Sequence, residues 1–475
     1  MRPSLHFTAE QQWINDPNGL VYINGEYHLF CQMNPDGSLW GNMSWGHAIS
    51  RDLLSWEQIQ PALTPYPARV EGADTFIFSG SALVDRIGLS GAPVGQGLLA
   101  YYTAHERCGD DPINESVAVA TSTNGGRTWF RHSSNPVLDL GRRDFRDPRV
   151  FWHEPSTSMV MAIADPPGQR VEFYRSGDGL SWELSGSFEA SGYTSMIWEC
   201  PDLVEVPYET GGGSRWVLSI SSGHQAGAPY TGMQYWIGEF DGTCFRADDL
   251  QPQVLDAGKD FYAAVSYNDL PPGQPPIMIG WASNWAYATV TPTAPWRGMM
   301  AIPRELTLRS TPTRLVLVQR PTGQLDRRET EQHSTNSPID SPLDIRWSVG
   351  SAQDAPTGIE FCTDGGSVFK IWIDRSTSTL ACDRHIEGGG DFARTFDGID
   401  SAPLPLAWHG ELIDVRVIFD GCIAEVFACE GELVLTSLVF CSNPTRIVPL
   451  GDPRSLRVCR ILPIYQTPEA GSVSP

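Results

Sequence analysis

Short runs of alternating apolar and polar residues, each ended by a turn signal, dominate the first 320 residues of this chain. Alternation at every second residue marks a strand with one buried face, and Gly, Pro, Asn or Asp between such runs closes them into hairpins. Gly25-Glu26-Tyr27-His28-Leu29-Phe30-Cys31-Gln32, Leu98-Leu99-Ala100-Tyr101-Tyr102-Thr103 and Arg215-Trp216-Val217-Leu218-Ser219-Ile220 all read this way. A helical period of ~3.6 residues is hard to find anywhere. With 46 Gly and 37 Pro, the chain suits many short strands better than long helices. The expected class is all-β.

A weak internal repeat organises these strands. Ser50-Arg51-Asp52-Leu53-Leu54-Ser55-Trp56 recurs as Ser122-Thr123-Asn124-Gly125-Gly126-Arg127-Thr128-Trp129, and again as Ser176-Gly177-Asp178-Gly179-Leu180-Ser181-Trp182. Each copy offers a small hydroxyl, an Asp or Asn that can bond nearby backbone N–H groups, and a Trp that opens the next strand and packs on its blade. Copies roughly 50 to 75 residues apart suit four-stranded blades with variable loops. Residues 1–320 therefore read as a β-propeller. The polar stretch 321–342 reads as a linker or winding surface connection. Strands resume over 343–475, as in Val368-Phe369-Lys370-Ile371-Trp372-Ile373, and suit a β-sandwich.

Charge narrows the partners. A formal net charge of −23 disfavours nucleic acid and anionic membrane surfaces and suits a neutral substrate. No stretch approaches the ~20 apolar residues of a membrane helix. Met1 to Thr8 shows no apolar signal core, so the expected location is the cytoplasm, or outside the cell if a leader has been trimmed. The ten cysteines form no C-x-x-C pair, which argues against structural zinc. Alternation puts several of them in apolar strands, as buried free thiols of a reducing compartment. Oligomeric state stays open.

Chemistry gathers around three acidic residues. Asp16 lies in Trp13-Ile14-Asn15-Asp16-Pro17-Asn18-Gly19, Asp147 in Phe145-Arg146-Asp147-Pro148, and Glu199 in Trp198-Glu199-Cys200-Pro201-Asp202. A Pro closely follows each acid and biases the residue before it toward extended backbone at a strand end. In a propeller the starts of the innermost strands converge on one mouth of the channel, so acids from three blades can meet there. Breaking a glycosidic bond needs such a set. One carboxylate attacks the anomeric carbon, a second carboxyl protonates the departing oxygen, and a third holds hydroxyls. The Asn15 and Asn18 amides can stabilise charge on Asp16, while Trp198, Cys200 and the other carboxylates would raise the pKa of Glu199. Trp40, Trp281 and Trp285 can stack on apolar sugar faces.

These three blocks resemble the signatures of glycoside hydrolase family 32, which holds invertases, levanases, inulinases and related fructosyltransferases. Gly280-Trp281-Ala282-Ser283-Asn284-Trp285, Pro295-Trp296-Arg297-Gly298-Met299 and Ile302-Pro303-Arg304-Glu305-Leu306 are similar to later blocks. Phe419-Asp420-Gly421-Cys422-Ile423-Ala424-Glu425-Val426-Phe427 resembles the family's sandwich strand, with Gly421-Cys422 where Arg-Ser is common. The resemblance implies a five-bladed β-propeller carrying the active site, followed by a C-terminal β-sandwich. It implies a retaining hydrolase that releases fructose from the ends of β-fructofuranosides, namely sucrose or levan- or inulin-type fructans. By motif position Asp16 is the nucleophile, Glu199 the general acid/base, and Asp147 the transition-state stabiliser, held in place by Arg146. Asn15, Gln32, Trp40, Ser79, Arg146 and Trp281 are the implied substrate-binding residues. No metal and no organic cofactor are implied.

Other readings stay open. A fructosyltransferase shares the same site, and an arabinosidase or xylosidase sits on the same kind of propeller. A sialidase would use three converging arginines and a Tyr nucleophile, a scheme with no place for the Trp13–Gly19 block. A non-catalytic sugar-binding propeller could dispense with all three acids. Sucrose, levan and inulin would be told apart by loops on the leaving-group side.

Overall fold

The computed structural model describes residues 2–190, 197–223, 231–340, 342–351, 353, 355–386, 390–440 and 444–465. Five antiparallel sheets follow one another along the chain. Their innermost strands are Trp13–Ile23, Asp74–Val84, Arg146–His153, Trp198–Pro207 and Tyr262–Ser266, and each leads through hairpins to strands farther out. The ring closes where the last blade meets the first. There the parallel bridges Trp13↔Arg297 and Val21↔Asn268 form, and Ile14 N–H donates to Arg297 O at 2.9 Å. This is a five-bladed propeller.

The repeated hydroxyl–Asx–Trp turns each join the third and fourth strands of a blade. Asp178 Oδ1 accepts the Leu180 and Ser181 N–H groups at 2.8 and 2.7 Å, and Asp52 Oδ1 does the same for Leu54 and Ser55 at 3.0 and 2.6 Å. The Ser181 N–H bond, above all, pulls the Asp178 carboxyl down to about 2. Two of the tryptophans differ from expectation in where they pack. Trp129 of the second blade sits edge-on to Phe30 of the first at 5.7 Å, and Trp182 of the third sits edge-on to Tyr101 of the second at 5.5 Å. Each ring thus locks its blade onto the preceding one, because the outer strands overhang the seam between neighbours.

The channel is plugged beneath the acids. Arg149 Nε pairs with Asp202 at 2.7 Å, Arg149 Nη2 donates to Ser266 Oγ at 3.0 Å, and Ser81 Oγ donates to Pro148 O at 2.7 Å. What remains there is a cavity of about 10 Å³, about the room of one water.

Two further sheets, of six and five strands, form the sandwich over a shared apolar core that includes Ile345, Phe361, Phe369, Val417 and Phe419. The stretch read as a linker is partly structured. Glu329–Gln332 is an edge strand paired to Arg454–Ile461 of the six-stranded sheet. One short α-helix, Gly390–Phe396, is present among the described residues, set between sandwich and propeller. None of the nine described cysteines is disulfide-bonded and seven are buried; Cys441 lies outside the described residues.

Candidate active site

All five innermost strands carry a β-bulge at the same level of the channel. The pairing slips between Ile14 and Pro17, Phe78 and Gly80, Arg146 and Arg149, Glu199 and Asp202, and Tyr262 and Val265. A bulge adds an unpaired residue and re-aims the side chains around it. Pro17, Pro148 and Pro201 fall in three of these bulges, where a missing N–H costs no ladder bond. Asp147 and Cys200 take positive φ values of 64° and 47° there. Gly80 is needed for close approach, since a Cβ on it would lie 2.0 Å from Tyr101 O. The bulges turn Asp16, Ser79, Asp147, Glu199 and Tyr262 toward one mouth.

That mouth opens into a cleft of about 490 Å³, within the usual range for a ligand pocket. Asn15, Asp16, Gln32, Trp40, Ser79, Arg146, Asp147 and Glu199 line it, so the structure brings these expected site residues together. Ser79 Oγ donates to Asp16 Oδ2 at 2.8 Å. Burial pushes the Asp16 carboxyl up, the Asn15 amide opposes this, and the nearby charge of Glu199 adds to it. Trp13 Nε1 donates to Asn15 Oδ1 at 2.7 Å, which orients that amide. Asn18 does not reach Asp16 as expected; its Oδ1 accepts Gly80 N–H at 3.2 Å, joining the first two blades.

Asp147 is buried and pushed up to about 7. Burial is the main cause, the Arg146 charge opposes it, and Glu199 and Asp16 reinforce it. Its hydrogen bonds come from Cys200, from N–H at 2.9 Å and from Sγ at 3.6 Å. The same Sγ lies 3.7 Å from Asp16 Oδ2. Arg146, expected to hold Asp147, instead donates to Glu199 Oε1 at 3.3 Å, Glu115 Oε2 at 3.1 Å and Asp144 Oδ1 at 2.9 Å, and acts on Asp147 through charge. Trp198 does not shield the Glu199 carboxyl, because strand alternation turns its ring away to pack on Trp236 at 5.5 Å. The charge of Glu199 thus adds to burial in raising both Asp16 and Asp147, which favours keeping a proton on that pair.

Trp281 differs from expectation too. It is fully buried and does not line the cleft; it backs Trp285, whose ring is 4.9 Å away and does line it. The reason is register: Trp281 pairs with Tyr262 inside the last blade, while Trp285 lies four residues on, in the turn above. Trp40, 38% exposed, forms another part of the wall, edge-on to Phe78 at 6.2 Å.

Sequence reasoning missed two residues. Tyr262 OH donates to Glu199 Oε2 at 2.8 Å. Its place at the start of a strand, like those of the acids, was the available signal. Buried Glu115 holds His105 Nδ1 at 2.9 Å, Phe145 N–H at 2.6 Å and Arg146, and so braces the cleft from the second blade. An acid placed directly before the run Ser116-Val117-Ala118-Val119-Ala120 was its only mark.

A cleft blind at its floor, walled by aromatics and holding clustered carboxylates, is the equipment of a glycoside hydrolase. Comparison with known proteins makes this specific. The N-terminal domain of the glycosyl hydrolases family 32 matches residues 6–321 and its C-terminal domain matches residues 310–451, so the chain belongs to that family. It is 37% identical over 463 residues to a levanase of Bacillus subtilis, a match that takes in 92% of this chain and 66% of the levanase. It superposes on the exo-inulinase of Aspergillus awamori with a TM-score of 0.88 at 31% identity, covering 98% of this chain and 99% of that one. A β-fructofuranosidase of Schwanniomyces occidentalis complexed with fructosyl-erythritol superposes at 0.83, with 30% identity and coverage of 97% and 98%.

Proposed function

We propose that the protein is a retaining β-fructofuranosidase that removes terminal fructose from sucrose or from levan- or inulin-type fructans. The observation that carries this reading is the convergence of Asp16, Asp147 and Glu199 on one blind cleft. Asp16 attacks the anomeric carbon, its carboxyl steadied by Ser79 through Oδ2 at 2.8 Å. Glu199, positioned by Tyr262 and Arg146, gives a proton to the leaving oxygen and then takes one from the incoming water. Asp147 binds furanose hydroxyls, and those bonds strengthen as charge develops in the transition state. Gln32, Trp40 and Trp285 complete the fructose pocket.

The plugged channel favours exo action. A chain end fits a cleft closed below, whereas the middle of a polymer needs a groove open at both ends. The test is the product profile on sucrose, inulin and levan. Free fructose from the start of each polymer digest is expected; a ladder of oligomers would overturn exo action. Stereochemistry tests the roles. Sucrose cleaved in dilute methanol should give methyl β-D-fructofuranoside, read by NMR, because methanol traps the fructosyl–Asp16 ester with net retention. The α anomer would recast Asp16 as a base.

A further inference from the structure

Both segments that reach the cleft from the last blade are anchored on the sandwich. Asp260 stands two residues before Tyr262, and Tyr287 two residues after Trp285. Tyr287 OH donates to Asp260 Oδ1, which joins the two segments. Arg384, at the end of the sandwich strand Thr379–Arg384, completes the set: Nη1 pairs with Asp260 Oδ2 and Nη2 donates to Tyr287 OH at 2.9 Å. All three side chains are buried. The guanidinium is itself fixed, since Nε donates to Phe396 O at 2.8 Å and the Phe396 ring lies 4.0 Å from it. Two neighbouring bonds reinforce the set, the first from the sandwich to the blade and the second between the two blade segments. Leu438 N–H donates to Asp260 Oδ2 at 2.8 Å, and Asn284 Nδ2 donates to Lys259 O at 2.7 Å.

A sandwich that merely covered apolar propeller surface would have no use for a desolvated guanidinium here, and burying one is costly unless its geometry is well satisfied. The geometry points to Arg384 as a positioning residue for the reaction: through Asp260 it sets Tyr262, which holds Glu199, and through Tyr287 it sets Trp285, which walls the sugar. This rests on the reading of Glu199 as the acid. Arg384 touches no substrate. Its loss lets Glu199 and Trp285 drift, and small misplacements at a reacting centre are expensive.

The test uses the full chain with Arg384→Met, Arg384→Lys and the milder Tyr287→Phe. Each is assayed on sucrose and on an activated fructoside whose leaving group departs without a proton. For Arg384→Met, kcat on sucrose should fall about tenfold, a part of what a general acid supplies, while the activated substrate loses less than about threefold. KM should rise on both, and Lys should restore part of the loss. Amide exchange should speed up over 258–266 and 282–290. Arg375→Met, which removes an arginine bonded to the carbonyls of Val349, Trp408 and His409 within the sandwich, should change neither the substrate ratio nor exchange in those segments. Equal losses on both substrates, or exchange altered only within the sandwich, would overturn the proposal. If Arg384→Met does not fold, Tyr287→Phe decides by the same two readouts. If the parent chain released no fructose from any fructoside, the proposed function would fall, and exchange alone would still show whether Arg384 holds the two segments.

Discussion

Two clusters of carboxylates, one partly buried at the channel mouth and one fully buried in the seam between propeller and sandwich, meet opposite surroundings. At the mouth, Asp16, Asp147 and Glu199 have Arg146 as their close cation; Asp16 is pushed up and Asp147 reaches about 7. In the seam, Asp420 accepts the Ser4, Leu5 and His6 N–H groups at 2.8, 2.8 and 3.0 Å and His6 Nδ1 at 2.9 Å. Glu425 lies between His6 Nε2 at 3.0 Å and Arg304 Nη2 at 2.7 Å, and Arg304 Nη1 reaches on to Asp256 at 2.9 Å. Asp420 and Glu425 stay below the usual range despite burial. The seam acids are the more deeply buried, at 1% and 0% exposed, and still stay low, so counter-charge and donors decide the outcome. The seam is compensated and holds the domains together. The mouth is left short of positive charge, which destabilises the fold and keeps its acids reactive.

The sharpest break of this comparison removes mouth acids. Asp16→Asn and Glu199→Gln should each lower kcat on sucrose by about 10²–10⁴-fold or more while the melting temperature holds or rises. Near-normal turnover in either folded variant would strip that residue of its role. The seam should answer in reverse. Asp420→Ala leaves His6 and three N–H groups without their acceptor and should cost about 3–5 kcal/mol. The melting temperature then falls, with kcat per folded molecule unchanged.

The pH dependence of stability should separate the two further. The folded pKa of Asp147, about 7, lies above its unfolded value of about 3.9, so the folded state loses stability as pH rises from about 3.9 to about 7 and carries the full penalty above that. Asp147→Asn should therefore raise the melting temperature more at pH 8 than at pH 4, roughly, although it abolishes turnover. Burial works against the charge on His6, but Asp420 and Glu425 pull its pKa up to about 9. Its contribution is full below its unfolded pKa of about 6.5 and is lost as pH rises through 9. His6→Gln should flatten that alkaline decline. Unchanged alkaline melting curves would show that the His6 bridge carries no charge.

The smallest effect is expected at Cys200, whose Sγ lies against both Asp16 and Asp147. Cys200→Ser, whose one hydroxyl proton is a stronger donor to whichever carboxylate takes it, should shift one limb of the pH–rate profile and keep activity within about tenfold of the parent. Complete loss in a folded variant would mean that the thiol takes part in the chemistry.

Local signals carried much of this protein. Alternating runs and Gly/Pro turns are set by nearest-neighbour sterics and by the two-residue period of a strand, so the all-β class and the strands themselves were legible. The three acids were legible because Pro and aromatic neighbours mark each block. The packing of Trp129 and Trp182 was not, since a ring at a blade edge chooses between two neighbours only once the blades are stacked. Trp281 and Trp285 look equivalent in sequence, and only the bulge at Tyr262 and the pairing register turn one inward and leave the other on the cleft wall.

By itself, then, the sequence determined strand pattern, turn chemistry and the identity of the three acids, all properties of residues within a few positions of one another. Tertiary structure decided which groups surround those acids. Tyr262 reaches Glu199 across 63 residues, Glu115 reaches Arg146 across 31, and Arg384 reaches Asp260 across 124. A carboxyl's charge state depends on every dipole and charge within a few ångströms, and chain separation says nothing about those distances until the ring has closed and the sandwich has docked.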